Sequence, residues 1–171
     1  MGYYINIDES TFTIPKANLA EAYERMCALN DRDDLKRGGA WPLSAAANAM
    51  DAAARKALGY HPDKWFSWMA PDYPTKCADA ASILEMVGFQ VETTTDGDLR
   101  ILFYDRKAGQ EDLFLTVISD LATGSITWRG EEGEMWRETY GEEAVAVQNG
   151  EVVFGKSHPR TIDKATTFGF I

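Results

Sequence analysis

The chain has 171 residues, 45% of them hydrophobic and 26% charged. That is enough for one domain with its own core, and too balanced for a disordered or fibrous chain. A net charge of −10 and a pI near 4.6 argue against a general basic surface for nucleic-acid backbones, and permit a basic protein as partner.

From the N-terminus, Tyr3, Ile5 and Ile7 alternate with Tyr4, Asn6 and Asp8, the period of a half-buried strand. Pro15 closes that stretch and opens a helix with Leu19, Ala22, Tyr23, Met26 and Leu29 on one face. After the polar loop NDRDDLKRGGAWP, Ser44 caps an Ala-rich helix running to Leu58, where Gly59 suits the left-handed C-terminal position. YHPDKWFSWMAPDYP reads as a connector. Thr75 then starts a helix with Ala78, Ala81, Leu84 and Val87 inward, ending at Gly88 with Phe89 folding back.

From Phe89 onward the pattern is one of strands. QVETTT and LRILFY form a hairpin around Asp96-Gly97-Asp98, and Gln110 to Leu121 forms a short helix with Leu113, Phe114, Val117, Ile118 and Leu121 inward. GSITWRGEEGEMWRETY is a second hairpin. A two-residue turn would force Glu132 to positive φ, so the loop is Glu131-Glu132-Gly133 with only Gly133 left-handed. Trp128 then faces Trp136; Ile126, Trp128, Trp136 and Tyr140 share one face, and Thr127, Arg129, Met135, Arg137 and Thr139 share the other. AVAVQNGEVVF is a third hairpin, turning at Asn149-Gly150. This order predicts a single α+β domain over residues 1–154, with the N-terminal strand and helices packed on an antiparallel sheet drawn mainly from the C-terminal half. Residues 155–171 read as an irregular tail.

No apolar run approaches a membrane span, and MGYYINIDES has no signal-peptide pattern. Its Met-Gly start is not a myristoylation signal, because Asn6 stands where Ser or Thr is needed. Cys27 and Cys77 sit on predicted helices beside apolar neighbours and read as buried free thiols, so the expected location is the cytoplasm.

Candidate chemistry is sparse. The chain has no Gly-x-Ser-x-Gly, no paired-Cys zinc spacing and no Gly-rich phosphate loop. His61 and His158 both precede proline, and only a Cys77–His61 dyad is conceivable. Asp105-Arg106-Lys107 offers half of the carboxylate pattern by which restriction-type nucleases hold Mg²⁺, making a metal-dependent hydrolase using Asp105 the enzymatic alternative. Its companions Asp96 and Asp98 lie at the opposite end of a strand spanning roughly 20 Å, too far to share one metal. Glu111-Asp112 suits a helix N-terminus. No cofactor or metal site is expected. For partner contact the candidates are Trp65, Phe66 and Trp68, whose rings either seal the core or anchor a partner, and the Arg129/Arg137 face of the hairpin.

Two resemblances add to this. Tyr60-His61-Pro62-Asp63-Lys64, following ARKALG, resembles the His-Pro-Asp loop of J-domain co-chaperones, which implies a chaperone-binding role for His61, Pro62 and Asp63. The preceding helix departs from that family's basic pattern, offering only Arg55 and Lys56 beside Asp51. The string WFSWM, ILEMVGFQVE, DGDL, YDRKAGQEDLFL and GSITWRGEEGEMWR, from Trp65 to Val153, is similar to a family of small bacteriophage and prophage proteins. That resemblance carries no activity. It implies a phage or mobile-element accessory protein acting in the bacterial host cytoplasm. The expectation is therefore a non-enzymatic protein that binds a host protein with a basic surface, possessing neither nucleic-acid nor membrane contacts of its own.

Overall fold

Residues 2–38, 51, 54, 64–142 and 144–151 are described by a computed structural model. Over these residues an α+β fold forms from two antiparallel sheets and four α-helices. The larger sheet contains β1 (Tyr4–Ser10), β5 (Asp105–Lys107), β6 (Gly124–Gly130), β7 (Met135–Tyr140) and β8 (Ala146–Gly150), in the order β5-β1-β6-β7-β8. The smaller sheet orders β2 (Thr13–Ile14), β4 (Leu99–Phe103) and β3 (Gln90–Thr93) as β2-β4-β3. The N-terminal strand is thus inside the main sheet rather than packed upon it. Ile5 and Ile7 turn inward as their alternation requires, and a bulge between Ile7 and Glu9 leaves Asp8 on the outer side.

Four helices cover the inner faces: α1 (Leu19–Ala28), α2 (Tyr73–Lys76), α3 (Ala80–Val87) and α4 (Glu111–Thr116). α1 buries Ala22 and Met26, while Tyr23 stays half-buried, its hydroxyl donating to the Cys77 carbonyl at 2.9 Å. One expected helix divides into two. Cys77 is extended, and a capping box restarts the helix: the Asp79 carboxylate accepts from the Ser82 N–H at 2.8 Å, and the Ser82 Oγ accepts from the Asp79 N–H at 3.1 Å. The buried face becomes Ala80, Ile83, Leu84 and Val87, leaving Ala78 exposed. Gly88 ends α3 at φ 125°, and the Phe89 N–H returns to the Leu84 carbonyl at 3.0 Å.

The hairpin reading holds in detail. Trp128 pairs with Trp136, and Gly133 has φ 91° in the three-residue loop. The third hairpin does not form at Asn149-Gly150. Both residues lie within β8, opposite Trp136 and Met135, and neither has the positive φ that such a turn demands. Cross-strand pairing with β7 outweighs the local turn preference there. Apart from Asp51 and Ala54, the Ala-rich segment after Ser44 lies outside the described residues, as do the His61-Pro62-Asp63 loop and the tail 155–171. No helix among the described residues is long and apolar enough to cross a membrane.

Candidate functional site

The two faces of the β6–β7 hairpin have opposite chemistry. Outside, the Arg129 guanidinium binds the bulged Asp8 carboxylate through Nε at 3.1 Å and Nη2 at 3.0 Å. Arg137 donates to Thr127 Oγ1 at 3.1 Å and stands 3.9 Å from Glu9. These are exposed pairs of opposite charge, which neutralise that face.

Inside, strand parity places Glu138 between Trp136 and Tyr140, on the tryptophan face. Its carboxylate gathers three donors: Trp128 Nε1 at 2.9 Å and the Tyr140 hydroxyl at 2.6 Å on Oε2, and Trp136 Nε1 at 3.3 Å on Oε1. Burial, together with the adjacent Glu138 charge, pushes the Tyr140 hydroxyl far above the usual phenol range. The two indoles stack with centroids 6.1 Å apart at 15°. Trp128 is 2% exposed and wedged against Tyr104, whereas Trp136 is only half-buried.

Beside Trp136 opens a cleft of about 330 Å³, walled by Tyr3, Leu35, Glu111, Trp128, Trp136 and Glu138, with Asp34, Arg37 and Asp112 also reaching it. Glu111 is 8% exposed. Its Oε2 accepts from the Gly109 N–H at 2.7 Å and from the Tyr104 hydroxyl at 3.4 Å. Burial raises the Glu111 carboxyl above the usual carboxylate range, more than the backbone N–H bonds lower it. The expected helix N-terminus is correct for Glu111, but its side chain turns inward. The hydroxyl oxygen of Tyr3 is buried without a hydrogen-bond partner.

Gln110 builds the lip of this cleft. Its Oε1 accepts from the Arg37 N–H at 2.9 Å and the Ser67 N–H at 3.3 Å, and its Nε2 donates to the Leu35 carbonyl. One buried amide therefore fastens the 35–37 and 65–68 loops to the start of α4. The Gly38 N–H adds a bond to the Trp65 carbonyl at 2.7 Å. Trp68 follows in the 65–68 loop, 56% exposed and held at φ 67°. A positive φ on a tryptophan is strained backbone, which the packing here imposes. Gly109 makes the room: a Cβ there would stand 2.6 Å from Trp68 Cδ1.

The candidates named from sequence separate accordingly. Trp68 is exposed and Trp65 half-buried. Phe66 is a correction: at 1% exposure, edge-on to Phe114 at 5.3 Å and beneath the Lys36 ammonium at 5.9 Å, it seals the core and presents nothing to a partner. Asp105 is exposed on β5 opposite Asn6, and Asp98 accepts from the Lys16 N–H at 2.8 Å. Among the described residues no group of three His, Cys, Asp or Glu stands together as a metal site. Both cysteines are free, and burial pushes the Cys77 thiol up, opposite to what an activated nucleophile needs. Sequence reasoning gave Glu111 only a helix N-terminus and passed over Gln110 and Glu138. For Glu138 the signal was present, since a charge at inward parity between two aromatics needs a buried partner.

The fold is α+β with an aromatic, carboxylate-lined cleft. Compared with known proteins, the chain matches no family model, and no curated protein or solved structure is detectably similar to it.

Proposed function

We propose that this chain is a bacteriophage or mobile-element accessory protein that binds a host protein and does not itself catalyse. The observation that carries the reading is the cleft beside Trp136. It joins Glu111, Asp112, Glu138 and the Arg32-paired Asp34 to Arg37, and the exposed Trp68, on strained backbone, packs against cleft-lining Gly109. On a chain of net charge −10, that combination favours a partner with a basic surface: charge steers the encounter, and the buried aromatic contact supplies the affinity. A defence or DNA-handling protein of the bacterial cytoplasm has such a surface, because binding a phosphate backbone requires one.

Affinity capture from host lysate tests the reading, comparing wild type with Trp68→Ala at low salt and at about 0.5 M salt, where surface charge is screened. The expected result is a basic protein retained by wild type, released by salt and lost with the variant. Capture insensitive to both salt and Trp68 would refute it.

A further inference from the structure

We propose that the cleft is a receptor for one arginine side chain displayed on the partner's surface. The inference deepens the partner-binding reading and rests on it. Three observations converge. Glu111 is more than nine-tenths buried, and no cationic side chain pairs with it among the described residues. A buried carboxyl without a counter-charge is costly in its ionised form, and a cation arriving in the cleft relieves that cost. Opposite in character is the half-buried Trp136 indole, which lines the same cleft. Glu138 binds the N–H edges of both indoles, which places negative charge at the ring edges and strengthens the pull of their faces on a cation. The third is size: about 330 Å³ is at the small end of ligand pockets, suited to a single long side chain.

A guanidinium fits better than an ammonium. It is planar, so it stacks on an indole while its fork meets a carboxylate, and it sheds water more readily than lysine does. Glu111 is the carboxylate for that fork: only its Oε2 accepts, from Gly109 and Tyr104, whereas both oxygens of Glu138 accept from Trp128, Trp136 and Tyr140. With Asp34 paired to Arg32, the carboxylates of Glu111, Asp112 and Glu138 still outnumber Arg37, which disfavours anionic ligands.

The test is a titration of isotope-labelled protein, followed by NMR at the Trp136 indole N–H, with the signal assigned from Trp136→Phe. The probes are a capped Gly-Arg-Gly peptide, its lysine and citrulline counterparts, and free arginine. The arginine peptide is expected to shift the Trp136 signal with a midpoint of about 1 mM. Citrulline, which keeps the shape and loses the charge, is expected to bind about tenfold more weakly, with lysine between them. Glu111→Gln is expected to weaken the arginine peptide about tenfold. The citrulline comparison needs no variant, so it stands even where Glu111→Gln fails to fold. Equal binding of arginine and citrulline peptides, or no shift at about 10 mM peptide, overturns the inference. Free arginine binding more tightly than the capped peptide also overturns it, by making the ligand a small molecule instead of a protein side chain. Salt-sensitive capture that depends on Trp68 and is unchanged in Glu111→Gln would leave the partner reading standing and remove the arginine site alone.

Discussion

The two sides of one hairpin divide the labour of this protein. On the outer side, Arg129 and Arg137 lie in water with Asp8 and Glu9 as neighbours, and their charges cancel in a medium that already screens them. On the inner side, three aromatic donors converge on the single carboxylate of Glu138. Polar groups of the same kinds are interchangeable with water on one side and have no substitute on the other. The outer pairs are more numerous in charge, yet the inner one fixes both the core and the cleft wall.

Substitutions on the two sides sharpen that contrast. Trp128→Ala should have the largest effect, about 4 kcal/mol of unfolding free energy lost in urea titrations, because it empties a site that is 2% exposed between Tyr104 and Trp136. Glu138→Ala follows at about 3 kcal/mol, since it strands the Trp128 N–H and the Tyr140 hydroxyl. A Glu138 variant as mild as an outer one would break the comparison.

Glu111→Gln should have a smaller effect, visible as a change in pH dependence. Burial raises the Glu111 carboxyl, while the Gly109 N–H and Tyr104 hydroxyl donate to it and Asp112 lies next to it. The folded state therefore holds this proton more tightly than the unfolded chain. Stability is greatest below the ordinary glutamate range and falls as pH climbs to the raised value, and that fall should disappear in the variant. A fall of the same size in both proteins would assign it to other groups. Smallest of all is Arg129→Ala, expected to change stability by no more than about 0.5 kcal/mol. A larger loss would mean that the Asp8 pair is more than a surface contact.

What was legible in the sequence was whatever depended on near neighbours. The Trp128–Trp136 register followed from parity and from Gly133 being the one residue of its loop suited to positive φ. Gly88 stopped α3 for the same local reason. Two local signals misled. The spacing of Ala78 and Ala81 suggested one continuous helix, although Asp79 followed by Ser82 already had the makings of a new start. Asn149-Gly150 had turn chemistry, but β7 offered a full ladder to both residues. The cleft was out of reach for a different reason. Tyr3, Leu35, Glu111 and Trp136 meet there from four separate parts of the chain, and Gln110 holds two of the loops through backbone groups that leave no trace in composition.

The position of β1 between β5 and β6 governs when the molecule becomes whole. Ile5 pairs with Arg106 on one side and Gly130 on the other, so β1 meets neither neighbour until about a hundred further residues of chain are in place. Pairing across such separations is slow, because the loop entropy is lost before the ladder is gained. Until then Ile5 and Ile7 have no sheet to enter. The Tyr3 wall of the cleft is therefore completed only when β1 pairs between β5 and β6. Weakened pairing of β1 would be felt first as slow folding, before any change in binding.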